Sequence, residues 1–508
     1  MSLDGLRSSH PIEVPIKVAA EVDEIFDAIS YAKGCCVVFM LINWLGEENF
    51  RKGMTHYLRK YSYQNAETDD LWNAIGEELS MDVSTMMNAW VLKTGFPVVT
   101  VTEQINGEDT VLYLKQNRFL EDVGVDTTDP TIWSIPICYI VCNADDTITE
   151  KQFLMTEREA TITIPSNLKW IKFNKNQTGF FRLSYQGDKY YSRLIEPIRK
   201  KQLSAIDRMS IVEDAIVLAK TGLIPTDQVL TLLSAYNTEE SYTVLSSVAS
   251  CFSTIYNLLK HEKEDVLQKF NKFAVNTLVH LRDTLGWHQQ PNESHLTSLT
   301  RPIVMSSLLK YKDQQTIDKA LEMFDEFQKN HEALIPDLRG VAYSAATKYG
   351  DAEKFQQVFN VYQTSELNEE RVRVLKGLGN TQDEQLILQT LNRVIDGSVR
   401  SQDVMYILVG TSQNPKATKL SWKFLLDNFA VIREKFESGF LFGRIIKLCT
   451  ESVTDAADVK QLKEFLEKEK TKTIERTIDQ SIETITLNSK WLERSRSNIA
   501  AWLNENVQ

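Results

Sequence analysis

The chain has 508 residues, of which 43% are hydrophobic and 25% charged, a composition typical of a globular protein with several domains. Its formal net charge of -12 argues against a nucleic-acid partner, and the absence of a long apolar run argues against a membrane span. Six cysteines in a chain of this length do not predict a disulfide framework, so we expect buried, reduced thiols and a cytoplasmic location.

Apolar residues recur at intervals of three and four through the first part of the chain, which predicts helices over residues 1–97. The pattern begins with Ile25 and Phe26 and predicts a helix that ends at Gly46. A second helix is expected over residues 47–60, and a third with Thr68 as its N-cap. The Gly-Phe-Pro triplet at residues 95–97 ends this helical region.

From residue 98 the period of the apolar residues changes from 3.6 to 2, which marks a domain boundary. Turn residues separate the strand-like segments and predict an antiparallel β-sandwich over residues 98–187. The seven predicted segments are 99–101, 111–114, 135–141, 153–155, 161–164, 170–173 and 180–185.

Beyond Tyr185 the strand pattern disappears and helical segments follow one another to the last residue. The clearest predicted helices are 207–220, 227–236, 243–260, 268–285, 317–328, 370–378 and 423–436. So many helices without a strand favour an α-helical solenoid of the armadillo or HEAT kind over residues 188–508, although no strict sequence repeat is present. The expected fold class is therefore a multidomain α+β protein.

Several motifs of the first hundred residues carry a resemblance to a known family. They are Leu3-Asp-Gly-Leu-Arg-Ser-Ser-His-Pro-Ile-Glu-Val-Pro15, Glu21-Val-Asp-Glu-Ile-Phe-Asp-Ala-Ile-Ser30, Ile29-Ser-Tyr-Ala-Lys-Gly34 and Trp90-Val-Leu-Lys-Thr-Gly-Phe-Pro-Val99. With Thr178-Gly-Phe-Phe-Arg182 and Leu203-Ser-Ala-Ile-Asp-Arg208 farther on, they resemble the zinc aminopeptidases of the puromycin-sensitive type, in the region after the metal site. The resemblance implies that residues 1–97 are the C-terminal helical part of a thermolysin-like catalytic domain, and that the complete enzyme uses zinc to act on peptides.

The family binds zinc through H-E-x-x-H on one helix and a glutamate on the next. In this chain His is followed by Glu only at His261 and His331, where the fifth residues are Asp265 and Ile335. Neither pair places a second imidazole one helical turn away, and the family's G-x-M-E-N segment has no counterpart. We therefore predict no metal site in this chain and no peptidase activity of the chain alone.

Tyr31 is the candidate catalytic residue that the resemblance implies. In the family the tyrosine at this position donates a hydrogen bond to the oxyanion that forms at the scissile carbonyl, a role for which a preorganised phenol is suited. The alternative is a partly buried helix residue whose hydroxyl is satisfied. The apolar residues Cys35, Cys36 and Phe39 replace the family's usual residues nearby, and either neutral drift or loss of a substrate-binding wall explains them.

Arg182 and Arg208 are candidate peptide-binding residues, because a guanidinium binds a carboxylate through two parallel hydrogen bonds. The alternative is that they tie the ends of strands or helices together. Glu293, His295 and Arg301 form a polar group that we expect to be a surface feature. His10, which precedes a proline, is expected to be structural.

The leading functional hypothesis is the C-terminal part of a zinc aminopeptidase that removes N-terminal residues from peptides. The alternatives are a stand-alone peptide-binding or regulatory protein built on the same scaffold, and one half of a split enzyme. The expected partners are peptides in the complete enzyme and either the missing N-terminal half or a second copy of the chain, with no nucleic acid and no membrane.

Overall fold

A computed structural model describes residues 1–16, 27–107, 109–437, 440–471 and 474–507. The chain divides into two compact units, Met1–Leu232 and Leu233–Gln508. The first contains helices and all the described strands, and the second is helical, so the fold is mixed α+β as predicted.

After the 3-10 turn Leu3–Gly5, the first unit continues with a group of helices. They are a π-helical turn Ile29–Lys33, α1 Gly34–Leu45, α2 Glu47–Lys60, α3 Thr68–Leu79 and α4 Val83–Leu92. Gly46 ends α1 with a φ of 81°, which only glycine adopts readily, as the sequence predicts. Thr68 is the first residue of α3 and not its cap, because Glu67 and Asp70 form a reciprocal capping box. Ile25 and Phe26 lie outside the described residues.

The strands of the first unit form two sheets. They are β1 Pro97–Asn106, β2 Asp109–Leu120, β3 Gly124–Asp126, β4 Ile135–Cys142, β5 Ile148–Met155, β6 Glu159–Pro165, β7 Trp170–Phe173 and β8 Arg182–Tyr185. In the larger sheet the order is β3-β2-β1-β8, with β6 also paired to β2, and the smaller sheet has the order β5-β4-β7. All seven predicted segments overlap strands, and β3 was not predicted.

The predicted antiparallel arrangement is wrong for one pair of strands. Strand β8 runs parallel to β1, with Val98 opposite Arg182 and Val101 opposite Tyr185. The cause lies in the connection from β7, which passes through the 3-10 turn Lys175–Gln177 and does not close a hairpin. Strand β8 therefore leaves the smaller sheet and joins the edge of the larger one.

Helices fill the rest of the chain. Those that begin in the first unit are α5 Asp188–Arg199, α6 Ala205–Thr221 and α7 Thr226–Leu233. Those of the second unit are α8 Tyr242–Leu259, α9 Glu264–Leu285, α10 His295–Lys310, α11 Gln314–Lys329, α12 Pro336–Tyr349, α13 Ala352–Thr364, α14 Asn368–Leu378, α15 Glu384–Asn392, α16 Val404–Ser412, α17 Pro415–Asp427, α18 Phe429–Phe436, α19 Phe440–Thr450, α20 Ala456–Glu469 and α21 Glu475–Asn506. Within the second unit α8, α10, α12, α14 and α16 contact one another in that order.

The single helix predicted over residues 423–436 is two helices, α17 and α18. Asn428 separates them with a φ of -114° and a ψ of 15°. Its side-chain amide donates to the backbone oxygen of Phe424 at 3.0 Å, and its backbone N–H donates to the same oxygen at 3.1 Å. An asparagine that offers the backbone a local alternative in this way ends a helix without a proline or glycine.

The six cysteines are all free, and the expectation that all are buried is wrong for three of them. Cys142, Cys251 and Cys449 are buried, Cys138 is half-buried, and Cys35 and Cys36 are exposed on α1. No single described helix is long and apolar enough to cross a membrane; residues 29–45 and helix α2 reach that length only together, across a bend of 114°.

Candidate functional site

Tyr31 lies in the π-helical turn that precedes α1. The turn spans Ile29–Lys33, and the backbone N–H of Tyr31 donates to the backbone oxygen of Asp27 at 3.2 Å. The tyrosine is 64% exposed, in contrast to the partly buried helix residue of the alternative interpretation. Single π-helical turns at the start of α-helices are frequent at functional sites, because the wider turn changes the direction of the side chains that it carries.

Asp27 holds the beginning of this turn. One of its carboxylate oxygens accepts hydrogen bonds from the backbone N–H groups of Ile29 at 2.7 Å and Ser30 at 3.2 Å. Its other oxygen lies 2.9 Å from Nε2 of His10, whose Nδ1 lies 2.7 Å from the backbone oxygen of Pro11. Both ring nitrogens of His10 therefore face acceptors, and His10 fixes the turn from one side, which is the structural role expected for it.

Lys33 holds the end of the turn through a buried ion pair. Its Nζ lies 3.0 Å from Oδ2 of Asp4 and donates to the backbone oxygen of Gly95 at 2.8 Å. The other oxygen of Asp4 accepts from the backbone N–H of Gly95 at 3.1 Å. Burial lowers the pKa of Lys33, and the attraction of Asp4 opposes that shift. Three segments of the resemblance, around residues 4, 33 and 95, are thus joined at one buried point.

Gly95 is required at that point for two reasons. Its φ is 85°, a conformation that strains other residues, and an added Cβ would lie 2.7 Å from Nε of Arg118. The Gly-Phe-Pro triplet of the resemblance therefore has a structural explanation, since only glycine allows this backbone to approach Lys33 and Arg118.

The surface that carries Tyr31 is apolar. Five residues of the π-helical turn and α1, which we call the Tyr31 face, are all exposed: Tyr31, Ala32, Cys35, Cys36 and Phe39. They recur at helical spacing, so they form one continuous stripe. A cleft of about 350 Å³ adjoins the stripe and is lined by Cys36 and Phe39 together with Phe180 and Ile206.

Both candidate peptide-binding arginines are buried in the first unit. Nη1 of Arg182 donates to Oδ1 of Asp214 on α6 at 2.6 Å, and the backbone N–H of Leu183 lies 3.4 Å from the other oxygen. Nη1 of Arg208 donates to the backbone oxygen of Leu203 at 2.6 Å. Neither arginine lines the cleft beside the Tyr31 face. Contacts of this kind tie β8 and the start of α6 in place, and peptide binding by these arginines stays a prediction.

The expectation that Glu293 and Arg301 form a surface feature is wrong. Nη1 of Arg301 donates to Oε1 of Glu293 at 2.8 Å, and the two side chains are buried. The remaining guanidinium donors reach the backbone oxygens of Leu285 and Gly286. The hydrogen bonds from Arg301 lower the pKa of Glu293 to about 2. This pair closes the turn between α9 and α10, while His295 is exposed at the start of α10.

The two His-Glu pairs are engaged in other contacts. Glu262 accepts from Nε of Arg496 at 3.0 Å, and burial lowers the pKa of its neighbour His261. The ring of His331 packs on Phe327, with 4.6 Å between the ring centroids. Among the described residues no group of three His, Cys, Asp or Glu side chains is arranged to hold a metal ion.

Three lysines of the second unit are candidate functional residues that the sequence did not reveal. Lys260, Lys310 and Lys348 come from the ends of three different helices, and no spacing along the chain connects them. Asp4 and Lys33 were also missed as a pair. For these two a signal existed, because a lysine inside an apolar helix is buried only when a partner is available.

Comparison with known proteins places the chain in a family. The ERAP1-like C-terminal domain matches residues 170–487, and the peptidase family M1 domain matches residues 1–90. Among the similar proteins, the alanine/arginine aminopeptidase of Saccharomyces cerevisiae is 31% identical over 99% of this chain and 58% of its own length. The aminopeptidase M1 of Arabidopsis thaliana is 31% identical over 97% of this chain and 57% of its own length. The puromycin-sensitive aminopeptidase of Caenorhabditis elegans is 29% identical over 98% and 54%.

The matches cover almost all of this chain, while the chain spans a little over half the length of the curated relatives that it matches. The family resemblance of the motifs around Tyr31 is confirmed by the match of the M1 domain to the same residues. The chain belongs to the M1 aminopeptidase family of the puromycin-sensitive type and corresponds to a part of it that includes the ERAP1-like C-terminal domain.

Proposed function

We propose that this chain is the C-terminal part of a zinc aminopeptidase that removes N-terminal residues from peptides, and that it is inactive alone because it lacks the zinc site. The observation that carries the proposal is the position of Tyr31, exposed on a π-helical turn that Asp27 holds at one end and Lys33 at the other. The relatives named above are aminopeptidases, which supports the same reaction.

In this proposal Tyr31 donates a hydrogen bond to the oxyanion of the tetrahedral intermediate. The bond strengthens as negative charge develops, so it favours the transition state over the bound substrate. The two anchoring pairs keep the turn in one conformation, which reduces the reorganisation needed during the reaction. Zinc is a cofactor of the complete enzyme in this proposal and not of this chain.

The Tyr31 face supports the idea that another protein surface covers it in the complete enzyme. A stripe that contains Phe39 at 49% exposure beside Tyr31 is costly to leave in water, because buried apolar area stabilises an interface by about 25 cal/mol per Å². We propose that the catalytic half of the enzyme packs on this face, in the same chain or as a separate one, and that a second copy associates here when that half is absent.

The first experiment measures zinc content and hydrolysis of alanine and arginine amide substrates by the purified chain. We expect no stoichiometric zinc and no turnover. One tightly held zinc per chain, or an activity that a chelator removes, would overturn the proposal. The second experiment adds the part of the Saccharomyces cerevisiae relative that this chain does not match, and gain of zinc-dependent activity would support the split arrangement.

A stand-alone peptide-binding role is the alternative, and the same preparation distinguishes it. A chain that binds peptides tightly and gains no activity when the other half is supplied would favour the alternative. We expect the isolated chain to bind peptides weakly, because it has no counterpart of the G-x-M-E-N segment, which in the family accepts hydrogen bonds from a peptide's amino end.

We also propose the division into residues 1–97, 98–187 and 188–508, with a β-sandwich in the middle part and a solenoid in the last. The change of period at residue 98 and the succession of helices after residue 187 support it. Limited proteolysis should first cut near residues 97 and 187 or within the loop of residues 122–130, and a dominant first cut inside α6 would contradict it. The proposed location is cytoplasmic.

A further inference from the structure

A cleft of about 200 Å³ lies in the second unit where several helices end. The last turns of α8, α10 and α12 line it, and the segments that follow α14 and α16 complete its wall. Most of the polar groups that line it are donors or can donate: two lysines, several amides and two serine hydroxyls. No carboxylate is among the described residues that line it.

Lys310 and Lys348 are the two cations of the cleft. Nζ of Lys310 donates to Oγ of Ser253 at 2.6 Å and to Oε1 of Gln413 at 3.1 Å, and it lies 5.0 Å from the ring centroid of Tyr256. Nζ of Lys348 has one acceptor within the part of the chain that the structure describes, the backbone oxygen of Lys310, at the long distance of 3.4 Å. A third lysine, Lys260, is buried at the end of α8 and donates to Oγ1 of Thr418 at 2.7 Å.

All these acceptors are neutral oxygens, so no carboxylate among them compensates the lysines, and the C-terminal ends of α8, α10 and α12 offset only part of the charge. Within the described ranges no Asp or Glu oxygen lies within 4.0 Å of Lys260, Lys310 or Lys348, whereas the nearby Lys312 has Glu264 at 3.7 Å. Buried or half-buried ammonium groups are normally paired, because removing a charge from water without a partner is costly. Three such groups in one place therefore favour either loss of protons or binding of an anion.

The cleft also holds donors that the protein does not use. The amide nitrogen of Gln413 donates to no described acceptor, while the Oε1 atom of the same side chain accepts from Lys310 and lies 3.3 Å from Nδ2 of Asn257. The Gln413 amide is thereby turned so that its NH₂ end is left for a ligand. Ser306 lines the same cleft, is exposed and makes no hydrogen bond through its hydroxyl in the described structure.

The protonation behaviour of the lysines agrees with this geometry. Burial, with repulsion from Lys348 and Lys260, lowers the pKa of Lys310 to about 7. Burial, with repulsion from Lys312, lowers the pKa of Lys348 to about 8. A bound anion would relieve both effects and hold the two ammonium groups protonated at neutral pH.

We propose that this cleft binds a phosphate-type oxyanion, with Lys310 and Lys348 as the charged ligands and the Gln413 amide and Ser306 hydroxyl as neutral donors. Phosphate is favoured over a carboxylate because the cations are lysines, which act as point charges on a tetrahedral oxyanion. None of the described residues that line the cleft is an arginine, whose guanidinium makes the planar bidentate pair that suits a carboxylate. The volume accommodates one phosphate group with a small substituent. The proposal does not depend on the peptidase function.

The test is isothermal titration of the full chain with inorganic phosphate at pH 7 and constant ionic strength, with glycerol phosphate and acetate as the other ligands. We expect one saturable site for phosphate, at least tenfold weaker binding for Lys310→Met and for Lys348→Met, and near-parental binding for Lys348→Arg, which keeps the charge. Tighter binding of glycerol phosphate than of inorganic phosphate would identify a phosphate monoester as the ligand, and the reverse would identify free phosphate; both outcomes support the proposal.

Lys329→Met is the matched control, because Lys329 is an exposed last residue of a neighbouring helix, α11. Its affinity for phosphate should equal that of the parent. The melting temperature of each variant establishes that the fold is retained. No saturable binding, unchanged binding in both methionine variants, or acetate bound as tightly as phosphate would each overturn the proposal.

Discussion

The buried cations of the first unit and those of the cleft around Lys310 and Lys348 in the second unit differ in their partners. In the first unit two buried cations have partners of opposite sign: Lys33 has Asp4, and Arg182 has Asp214. The Tyr31 face, which remains exposed, is apolar. In the cleft the cations Lys310 and Lys348 have only neutral acceptors among the described residues.

The difference indicates what each set of charges is for. A charge whose partner lies in the protein has its hydrogen bonds used, so it can fix a backbone segment but has little left for a ligand. A half-buried charge without a partner does not hold a backbone segment in place in this way, and it still attracts an ion of opposite charge from solution. Burial of a charged side chain therefore does not by itself indicate a ligand-binding site. A buried or half-buried charge that lacks a counter-charge is the better indication.

The largest expected effect in the first unit is on catalysis and not on stability. In an active enzyme formed with the rest of the proposed aminopeptidase, Tyr31→Phe removes one hydroxyl and almost no volume. We expect turnover to fall about a hundredfold to a thousandfold, or about 3 to 4 kcal/mol, with KM nearly unchanged, as for loss of one oxyanion donor. Steady-state kinetics on an amide substrate measure this.

Tyr63→Phe is the control for that measurement, because Tyr63 is fully exposed after α2 and has no role in the proposal. Its turnover should equal that of the parent. A Tyr31→Phe enzyme that retains turnover within a factor of about two would show that the tyrosine is a structural surface residue.

Removal of one member of a paired charge should cause the largest loss of stability. Asp4→Asn keeps the size of the side chain but leaves Lys33 without a carboxylate. We expect the free energy of unfolding to fall by about 3 kcal/mol, as is usual when a buried pair is broken on one side. Urea unfolding followed by tryptophan fluorescence measures the change.

Two further variants sharpen the contrast with the cleft. Asp4→Asn combined with Lys33→Met should recover more than half of the loss, because no unpaired charge remains. Lys348→Met should change stability by less than about 1 kcal/mol, since no partner is left unpaired. A loss for Lys348→Met as large as that for Asp4→Asn would remove the distinction between the two regions.

The local part of the fold was accessible from sequence. The change of period at residue 98 located seven strands, and Gly46 marked the end of α1, because side-chain alternation and backbone conformation are properties of neighbouring residues. Strand β3 was missed because three residues are too few to show a period. The parallel pairing of β8 with β1 was missed because strand partners distant in sequence are set by the path of the connection.

The candidate functional residues also divide into those that the local sequence reveals and those that it does not. Tyr31 was found because its motif is contiguous, whereas the cleft depends on Lys310 and Lys348, which are 38 residues apart on different helices. The surface interpretation of Glu293 and Arg301 was wrong because burial of a polar pair depends on the packing of α10 against α9, which polarity alone does not reveal. Contacts between helices, rather than any helix by itself, contain the missing information.

Replacement of Lys260 should have a smaller effect on the free energy of unfolding than Asp4→Asn, and it should stabilise the protein instead of destabilising it. Burial lowers the pKa of Lys260 to about 7 in the folded protein, while an unfolded lysine titrates near 10.4. Below pH 7 the ammonium is present in both states and its burial destabilises the fold fully. Between the two pKa values the unfolded state binds more protons, so the stability of the fold rises with pH.

Lys260→Met should therefore stabilise the protein, by about 2 kcal/mol at pH 6 and progressively less as the pH rises toward 10, after allowance for the lost hydrogen bond to Thr418. Urea unfolding at pH 6, 7.5 and 9 measures the difference between variant and parent. Lys329→Met should show no difference at any of these pH values. A Lys260→Met protein that is less stable than the parent at pH 6 would mean that the lysine is compensated.

The smallest effect on stability is expected for a substitution of Phe39, which belongs to the apolar Tyr31 face. Phe39 is exposed on the Tyr31 face, so Phe39→Ser removes little buried area within the chain and should alter the free energy of unfolding by less than about 0.5 kcal/mol. The same change removes a large apolar side chain from a stripe that we propose to be covered in the complete enzyme. Sedimentation velocity at increasing concentration should show less self-association for Phe39→Ser than for the parent, whereas Tyr113→Ser, which removes an exposed aromatic from β2, should leave it unchanged. Equal self-association of the parent and the Phe39→Ser chain would show that the chain associates through another surface. The Tyr31 face would then be an ordinary exposed helix face.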